Sequence, residues 1–380
     1  MTEKIYENNS YIKEFNAKVV SCNNAGDNFE IILDKTAFFP EEGGQSADNG
    51  FIGEVRVINA LIRGDDIIHI CDASLKLGEE YLCTIDFEDR YVKMQNHTGE
   101  HIVSGIIKRE YGFNNVGFHL GENSVTLDVD GTLKKEDIDK IERLSNEVVY
   151  SNEEICVVYP TIEEQEKLDF RSKISPREGL RLIVIGKTDV CACCAPHVKS
   201  TGEVGMIKIT DFSSHRGGTR ITMYCGEFAR VHYEKTYALL SKILKGFSAN
   251  YDNALEKINI LKEDLISTKS ECKKLKSKLL YSSLNLEEKN GLIFAFISDA
   301  DFDEIRYCVN TLLEEGKKAV LIISLTNGSN MYMLASTDDS AKEIFDKMRE
   351  KLTVRGGFKN NFSQGKLENT TEEIKEFLSL

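Results

Sequence analysis

At 380 residues, 41% apolar and 29% charged, the chain is long enough for two or three domains with proper cores, and no run approaches the roughly 18 apolar residues of a membrane span. Its net charge of -14 excludes a general nucleic-acid coat while leaving room for a local basic face. The opening MTEKIYENNSYIKEF has no basic stretch leading into an apolar one, so no export signal and no membrane are expected, the cytoplasm is the expected compartment, and the ten cysteines are expected as thiols or metal ligands.

From 16 to 87 short strands alternate with turns, which predicts a small β barrel within an N-terminal domain, 1–88. Inside it FFPEEGGQSADNG carries Gly43 and Gly44, where the backbone can approach a neighbour closely. Residues 88–112, EDRYVKMQNHTGEHIVSGIIKREYG, read as an amphipathic helix with Val92, Ile102, Ile106 and Ile107 on its apolar stripe and Gly112 at its end. A hairpin in VGFHLGENSVTLDVDG, a helix over 133–151, and then strand, loop, short helical turn and strand from GLRLIVIG to KITDF make 89–229 an α+β layer. Leu240, Leu244, Phe247, Tyr251, Ala254, Ile258, Leu261, Leu265, Thr268, Cys272, Leu275 and Leu279 are spaced alternately four and three apart. That period predicts a long helical coiled coil over 230–288. The remainder, 289–380, reads as an α/β domain with strands LIFAFI, KAVLIISL and NMYMLAS, helices near 302–315 and 340–352, and a Gly-rich basic loop, RGGFKNNFSQGK. The basic surplus lies in this C-terminal third: residues 342–366 hold 7 Lys/Arg against 3 Asp/Glu.

The stretch CACCAPH holds Cys191, Cys193, Cys194 and His197, while the other cysteines are scattered singly among apolar neighbours. His97 and His101 are spaced i, i+4 on the predicted helix, so both imidazoles point to one side. Cys193 and His197 share that spacing in a segment expected to turn helically. Together the pairs offer three nitrogens and a thiolate to one ion, a set that tetrahedral zinc accepts. Cys194 points elsewhere on a helical turn, and Cys191 is six residues from His197. A self-contained knot from Cys191, Cys193, Cys194 and His197 would need adjacent cysteines on one ion. HTGEH also fits the inverted zinc-peptidase helix H-x-x-E-H, with Glu100 as general base.

These residues resemble the editing domain of alanyl-tRNA synthetase and its free-standing AlaX relatives, across essentially the whole chain. TAFFPEEGGQSADNG looks like the barrel loop of those proteins, NHTGEHIVSGI is similar to their H-x-x-x-H helix, and CCAPHVKSTGEVGMIKI to their C-x-x-x-H segment. The coiled coil and the RGGFKNNFSQGK domain look like the C-terminal part of the synthetase, the DHHA1 domain. With no aminoacylation domain fitting before residue 16, the chain looks like the long form of a free-standing editing factor. It departs from the family pattern where Cys194-Ala195-Pro196 replaces Gly-Gly-Thr, and where RGG stands in place of a glycine triplet.

The resemblance implies zinc at His97, His101, Cys193 and His197, and hydrolysis of the ester joining a wrong amino acid, serine or else glycine, to tRNA(Ala). Serine differs from alanine by one hydroxyl, so selectivity needs a site that hydrogen-bonds it. Thr36 and Gln45, with Gly43 and Gly44 between them, are the substrate-binding candidates. Lys351, Arg355, Gly356, Gly357, Lys359, Gln364, Gly365 and Lys366 are the candidates for tRNA contact. A homodimer through the coiled coil or C-terminal domain is expected. The alternatives are a tRNA- or partner-binding module with a structural zinc, and a zinc peptidase built on HTGEH.

Overall fold

The computed structural model describes residues 2–121, 124–172, 175–326 and 330–379. They fall into two compact units, Met1–Lys242 and Ile243–Leu380. Barrel and α+β layer share the first unit, and the segment expected as a coiled coil is divided between the two.

The first unit opens with β1 (Glu3–Lys4), β2 (Glu14–Ala25), β3 (Asn28–Leu33), β4 (Lys35–Thr36), β5 (Gly50–Ile52), β6 (Val55–Arg63), β7 (Asp66–Cys71) and β8 (Glu80–Ile85). Six of these close into the expected barrel, in the order β2-β3-β7-β6-β5-β8. Alternation explains it: Ala17 and Val19 point into a core with Ile31, Leu33, Ile52, Val57 and Ile85, while Lys18 and Val20 face solvent. β1 pairs in parallel with β4.

Helix α1 (Phe87–Tyr111) starts at Asp86, whose side chain accepts the Asp89 amide at 3.2 Å, and stops at Gly112, left-handed at φ 76°. It is not the amphipathic surface helix expected from its pattern. Every residue from Lys93 to Ile107 except Gln95 is buried. Ile102, Ile106 and Ile107 are core as expected; Val92 is half-buried. Asn96, His97, Thr98, Glu100, His101 and Ser104 therefore lie inside the protein, where each needs a partner.

Around α1 lie β9 (Asn115–Leu120), β10 (Val125–Val129), α2 (Lys135–Ser151), β11 (Ile155–Val158), α3 (Ile162–Gln165), β12 (Leu182–Ile185), β13 (Asp189–Ala192), a 3-10 turn (Thr201–Val204), β14 (Ile207–His215) and β15 (Gly218–Cys225). They form sheets of order β14-β15-β10-β9 and β11-β12-β13. Residues 189–192, expected as loop, thus pair with β12. The helical turn expected at 193–197 is absent; the chain there is irregular. Pro196 disfavours the α conformation at Ala195, which accounts for it.

Helix α4 (Glu227–Gly246) ends in the second unit, and α5 (Ala254–Ser282) follows after a non-helical break. The four-three period therefore does not run on one continuous helix. Along α5 it survives as an exposed apolar stripe: Leu261 and Leu265 are each 54% exposed and Leu279 is 70% exposed. Then come β16 (Glu287–Lys289), β17 (Leu292–Ser298), α6 (Phe302–Glu314), β18 (Ala319–Leu325), β19 (Asn330–Ser336), α7 (Ser340–Lys351), β20 (Val354–Lys359), β21 (Phe362–Leu367) and α8 (Thr371–Ser379). The sheet order is β16-β17-β18-β19-β21-β20. Successive residues of β17 serve opposite cores: Ile293 and Ala295 pack with α6, Leu292 and Phe294 with α7 and α8. RGGFKNNFSQGK is not a loop. It is the β20–β21 hairpin, turned by Asn360 and Asn361 at φ 52° and 56°.

Candidate metal centre

Along α1, His97 and His101 stand one turn apart with ring centroids 5.4 Å from each other. The irregular loop after β13 brings His197 to 5.0 Å from His97 and 4.8 Å from His101. Cys193 Sγ lies 3.6 Å from His97 Nε2 and 3.3 Å from His197 Nε2. The donor atoms of all four residues lie within 4.8 Å of one another, and the three imidazoles are buried. This set can hold a metal ion: bonds of about 2.0–2.3 Å at tetrahedral angles put ligand atoms about 3.3–3.8 Å apart.

Each imidazole is fixed through its other nitrogen. His97 Nδ1 donates to Gln45 Oε1 at 2.7 Å, His101 Nδ1 to Asp189 Oδ2 at 3.0 Å, and His197 Nδ1 to Thr98 Oγ1 at 2.9 Å. The Nε2 lone pairs are thereby turned to a common point, the arrangement that outer partners of metal-binding histidines provide. Asp189 is itself gripped by Arg171 through two bonds of 2.6 and 2.7 Å. Burial opposes a charge on Asp189, but Arg171 and His101 outweigh it and hold its carboxyl below the usual range. Burial pushes His197 down to about 3, keeping it neutral as a ligand must be. Burial opposes the Cys193 thiolate too, yet the imidazoles around it, His97 foremost, draw its thiol well below the ordinary value.

Two glycines make these approaches possible. Gly44 lies at φ 84°, and a Cβ there would come 2.6 Å from the Phe118 carbonyl. The loop can thus dock on β9, with Leu120 N donating to Gly44 O at 2.9 Å, and deliver Gln45 to His97. Gly105 on α1 leaves room for the Thr188 carbonyl, which a Cβ would meet at 2.4 Å, and so lets Asp189 reach His101.

The donors open on a cavity of about 1330 Å³ lined by His97, His101, Cys193, Gly43, Gly44, Glu100 and Asn115, among others. Glu100 accepts from Asn115 Nδ2 at 2.7 Å and from Ser104 Oγ. Cys191 Sγ, His101 and Asp189 form a second close group. Cys194 packs with Tyr6, Phe39 and Ala195, and burial raises its thiol.

The other expected residues divide. Gln45 is buried against His97, its Nε2 has no partner among the described residues, and it is not itself among the residues lining the cavity. Thr36 is fully buried in the barrel, its hydroxyl bonded to His69 Nε2 at 2.8 Å and to the Phe38 amide at 3.1 Å, and it is not among the residues lining the cavity. In the second unit, Lys351 is exposed at the end of α7. The hairpin register sets Arg355 opposite Lys366, Gly357 opposite Gln364, Gly356 opposite Gly365, and Lys359 opposite Phe362. Arg355, Gly357, Lys359, Gln364 and Lys366 therefore share one face. Arg306 of α6 donates to Gln364 Oε1 at 2.9 Å, and Arg355 is paired with Glu368 at 2.7 Å.

The threonyl and alanyl tRNA synthetase second additional domain family matches residues 180–222, which include Cys193 and His197. The likeness to alanyl-tRNA editing proteins extends along nearly the whole chain. The protein is 25% identical to the alanyl-tRNA editing protein AlaX-L of Pyrococcus horikoshii, over 98% of this chain and 96% of that one. It is 26% identical to the alanyl-tRNA editing protein Aarsd1-A of Xenopus laevis, over 94% and 92%. It is 30% identical to the alanine–tRNA ligase of Pyrococcus furiosus, over 99% of this chain but 43% of the ligase. The resemblance read from the motifs to free-standing AlaX-type editing proteins thus extends along nearly the whole chain.

Proposed function

We propose that the protein is a trans-editing hydrolase that deacylates mischarged tRNA(Ala), with Ser-tRNA(Ala) as its main substrate and Gly-tRNA(Ala) as the second. The observation that carries this reading is the convergence of three oriented imidazoles and a thiol, of which His97, His101 and Cys193 line a cavity with room for more than an amino acid. The end-to-end likeness to proteins named for alanyl-tRNA editing supports it. Zinc suits the donor set, with His97, His101, Cys193 and His197 as its ligands. When bound, it supplies Lewis acidity toward an ester carbonyl or a water.

The chain's own groups then do the positioning. Gln45 steadies His97 with its oxygen and, buried next to the cavity-lining Gly43 and Gly44, has its amide N–H left over as a donor, which we assign to a serine hydroxyl or the ester oxygen. Alanine leaves that donor unpaired, which disfavours it. Asp189 with Arg171, and Thr98, hold the other two rings, so little reorganisation is needed as the tetrahedral intermediate forms. The hairpin face bearing Arg355, Lys359 and Lys366 would take tRNA phosphates, and the exposed stripe of α5 would pair with a second copy. Among the described residues no helix is long and apolar enough to cross a membrane; a cytoplasmic protein of translation fits that.

The test is hydrolysis of Ser-tRNA(Ala) before and after removing metal with a chelator, and again after adding zinc. Release that stops and returns is the expected result. Release that persists without metal would refute the metal's role, and no release by zinc-loaded protein would refute the editing reading.

A further inference from the structure

Two arginines of the first unit are buried, Arg90 and Arg181, and a third, Arg171, is half-buried; one of the three lacks a counter-charge. Arg90 is paired with Asp48 and Arg171 with Asp189. Arg181, just before β12, is 8% exposed and lines the cavity, yet among the described residues no carboxylate forms an ion pair with it. Its Nη1 donates to the carbonyls of Cys193 at 2.8 Å and Ala195 at 2.9 Å. Its Nε has no partner among the described residues. Tyr6, buried, and Tyr159, exposed and hydrogen-bonded to Arg181, border it, and both phenols are neutral, their pKa raised first by burial. Glu7 and Glu42 line the same cavity without pairing with it.

A guanidinium kept in the interior without an anion is costly unless an anion arrives. The aminoacyl ester cannot be that anion, because its free α-amino group is a cation at neutral pH and would be repelled. The negative group nearest the ester on an aminoacyl-tRNA is the phosphodiester entering the terminal nucleoside. The carbonyls that Arg181 holds belong to Cys193 itself and to Ala195, and Arg181 and Cys193 line the same cavity, so an anion held by Arg181 would be within reach of a single nucleoside. Guanidinium edges suit phosphate oxygens, and the bond is charge-assisted. Arg177 and Lys187, both exposed, also line the cavity.

We infer that Arg181 binds the phosphodiester of the tRNA's terminal nucleotide, anchoring the nucleoside so that its ester falls at the metal donors. This rests on the editing reading above. The probes are two non-hydrolysable adenosines carrying serine through a 3′ amide, one with a 5′-phosphate and one with a 5′-hydroxyl, titrated into the zinc-loaded full chain. The phosphate should tighten wild-type binding about 10- to 100-fold. In Arg181→Gln that gain should shrink to below about threefold, with the 5′-hydroxyl probe bound nearly as before. Zinc content reports whether the loop is intact; if Arg181→Gln loses zinc, Arg181→Lys decides, and its gain should fall at least about threefold because one ammonium cannot replace the fork. A gain that survives either zinc-retaining variant, or no gain in the wild type, would leave Arg181 a brace of the Cys193 loop and overturn the inference. Failure of both probes to bind wild type would instead count against the editing reading.

Discussion

Arg90 and Asp48 meet where the barrel loop crosses α1; Arg171 and Asp189 meet beside the metal donors. Both pairs are charged, and both join segments distant in sequence. The first is sealed: neither side chain is exposed, and Arg90 spends its other donors on the carbonyls of Ile12 at 3.3 Å and of Ala37. The second ends on an imidazole, since the Asp189 oxygen that Arg171 holds at 2.7 Å also accepts from His101. A sealed pair fixes the fold, whereas a pair that hands its last hydrogen bond to a ligand residue sets the chemistry. The contrast separates structural from functional charge without reference to any relative.

Mutating both pairs tests the contrast. Arg90→Met should have the largest effect, leaving a buried carboxylate alone and lowering the unfolding free energy by about 3–5 kcal/mol in urea. Asp189→Asn keeps the shape but loses the charge that orients His101. Metal affinity should fall about 10- to 100-fold in a competition titration, while the urea midpoint moves less than in Arg90→Met. Equal unfolding penalties with unchanged metal affinity would erase the distinction.

A sealed polar group inside the barrel extends it. His69 is buried against Thr36 and the Ile31 carbonyl, and burial pushes it down to about 4. The unfolded chain takes up this proton near pH 6.5 and the folded one does not until about 4, so stability falls as pH drops through that window. Wild type should lose about 2 kcal/mol more than His69→Gln between pH 7 and 5, without any change in metal binding. The smallest effect belongs to the exposed hairpin. Lys366→Ala should weaken tRNA binding about threefold and lower its salt slope by about 1, with stability unmoved.

The sequence made the barrel legible because alternation records which side of a strand is buried. The clustering of the four donors was legible because the spacing of His97 with His101 and of Cys193 with His197 carries geometry. The partners were not, since Asp189 reaches His101 across 88 residues and Thr98 reaches His197 across 99, contacts that no local pattern records. The loop holding Cys193 was misread as helical although Pro196 argued against it. Glycines at 356, 357 and 365 hid the alternation of the hairpin, where the Asn360-Asn361 turn was the usable signal. The period continuing through residues 247–253 concealed the break between α4 and α5, because heptads count side chains and ignore a backbone that leaves the helix at Ser248, φ 48°.

The measurement that bears most directly on the central claim sets Ser-tRNA(Ala) and Ala-tRNA(Ala) side by side, with wild type and Cys193→Ala at known zinc content. The account predicts rapid loss of serine alone, abolished in the variant together with bound zinc. Cleavage of both esters at one rate, or serine release undiminished in Cys193→Ala, would contradict it.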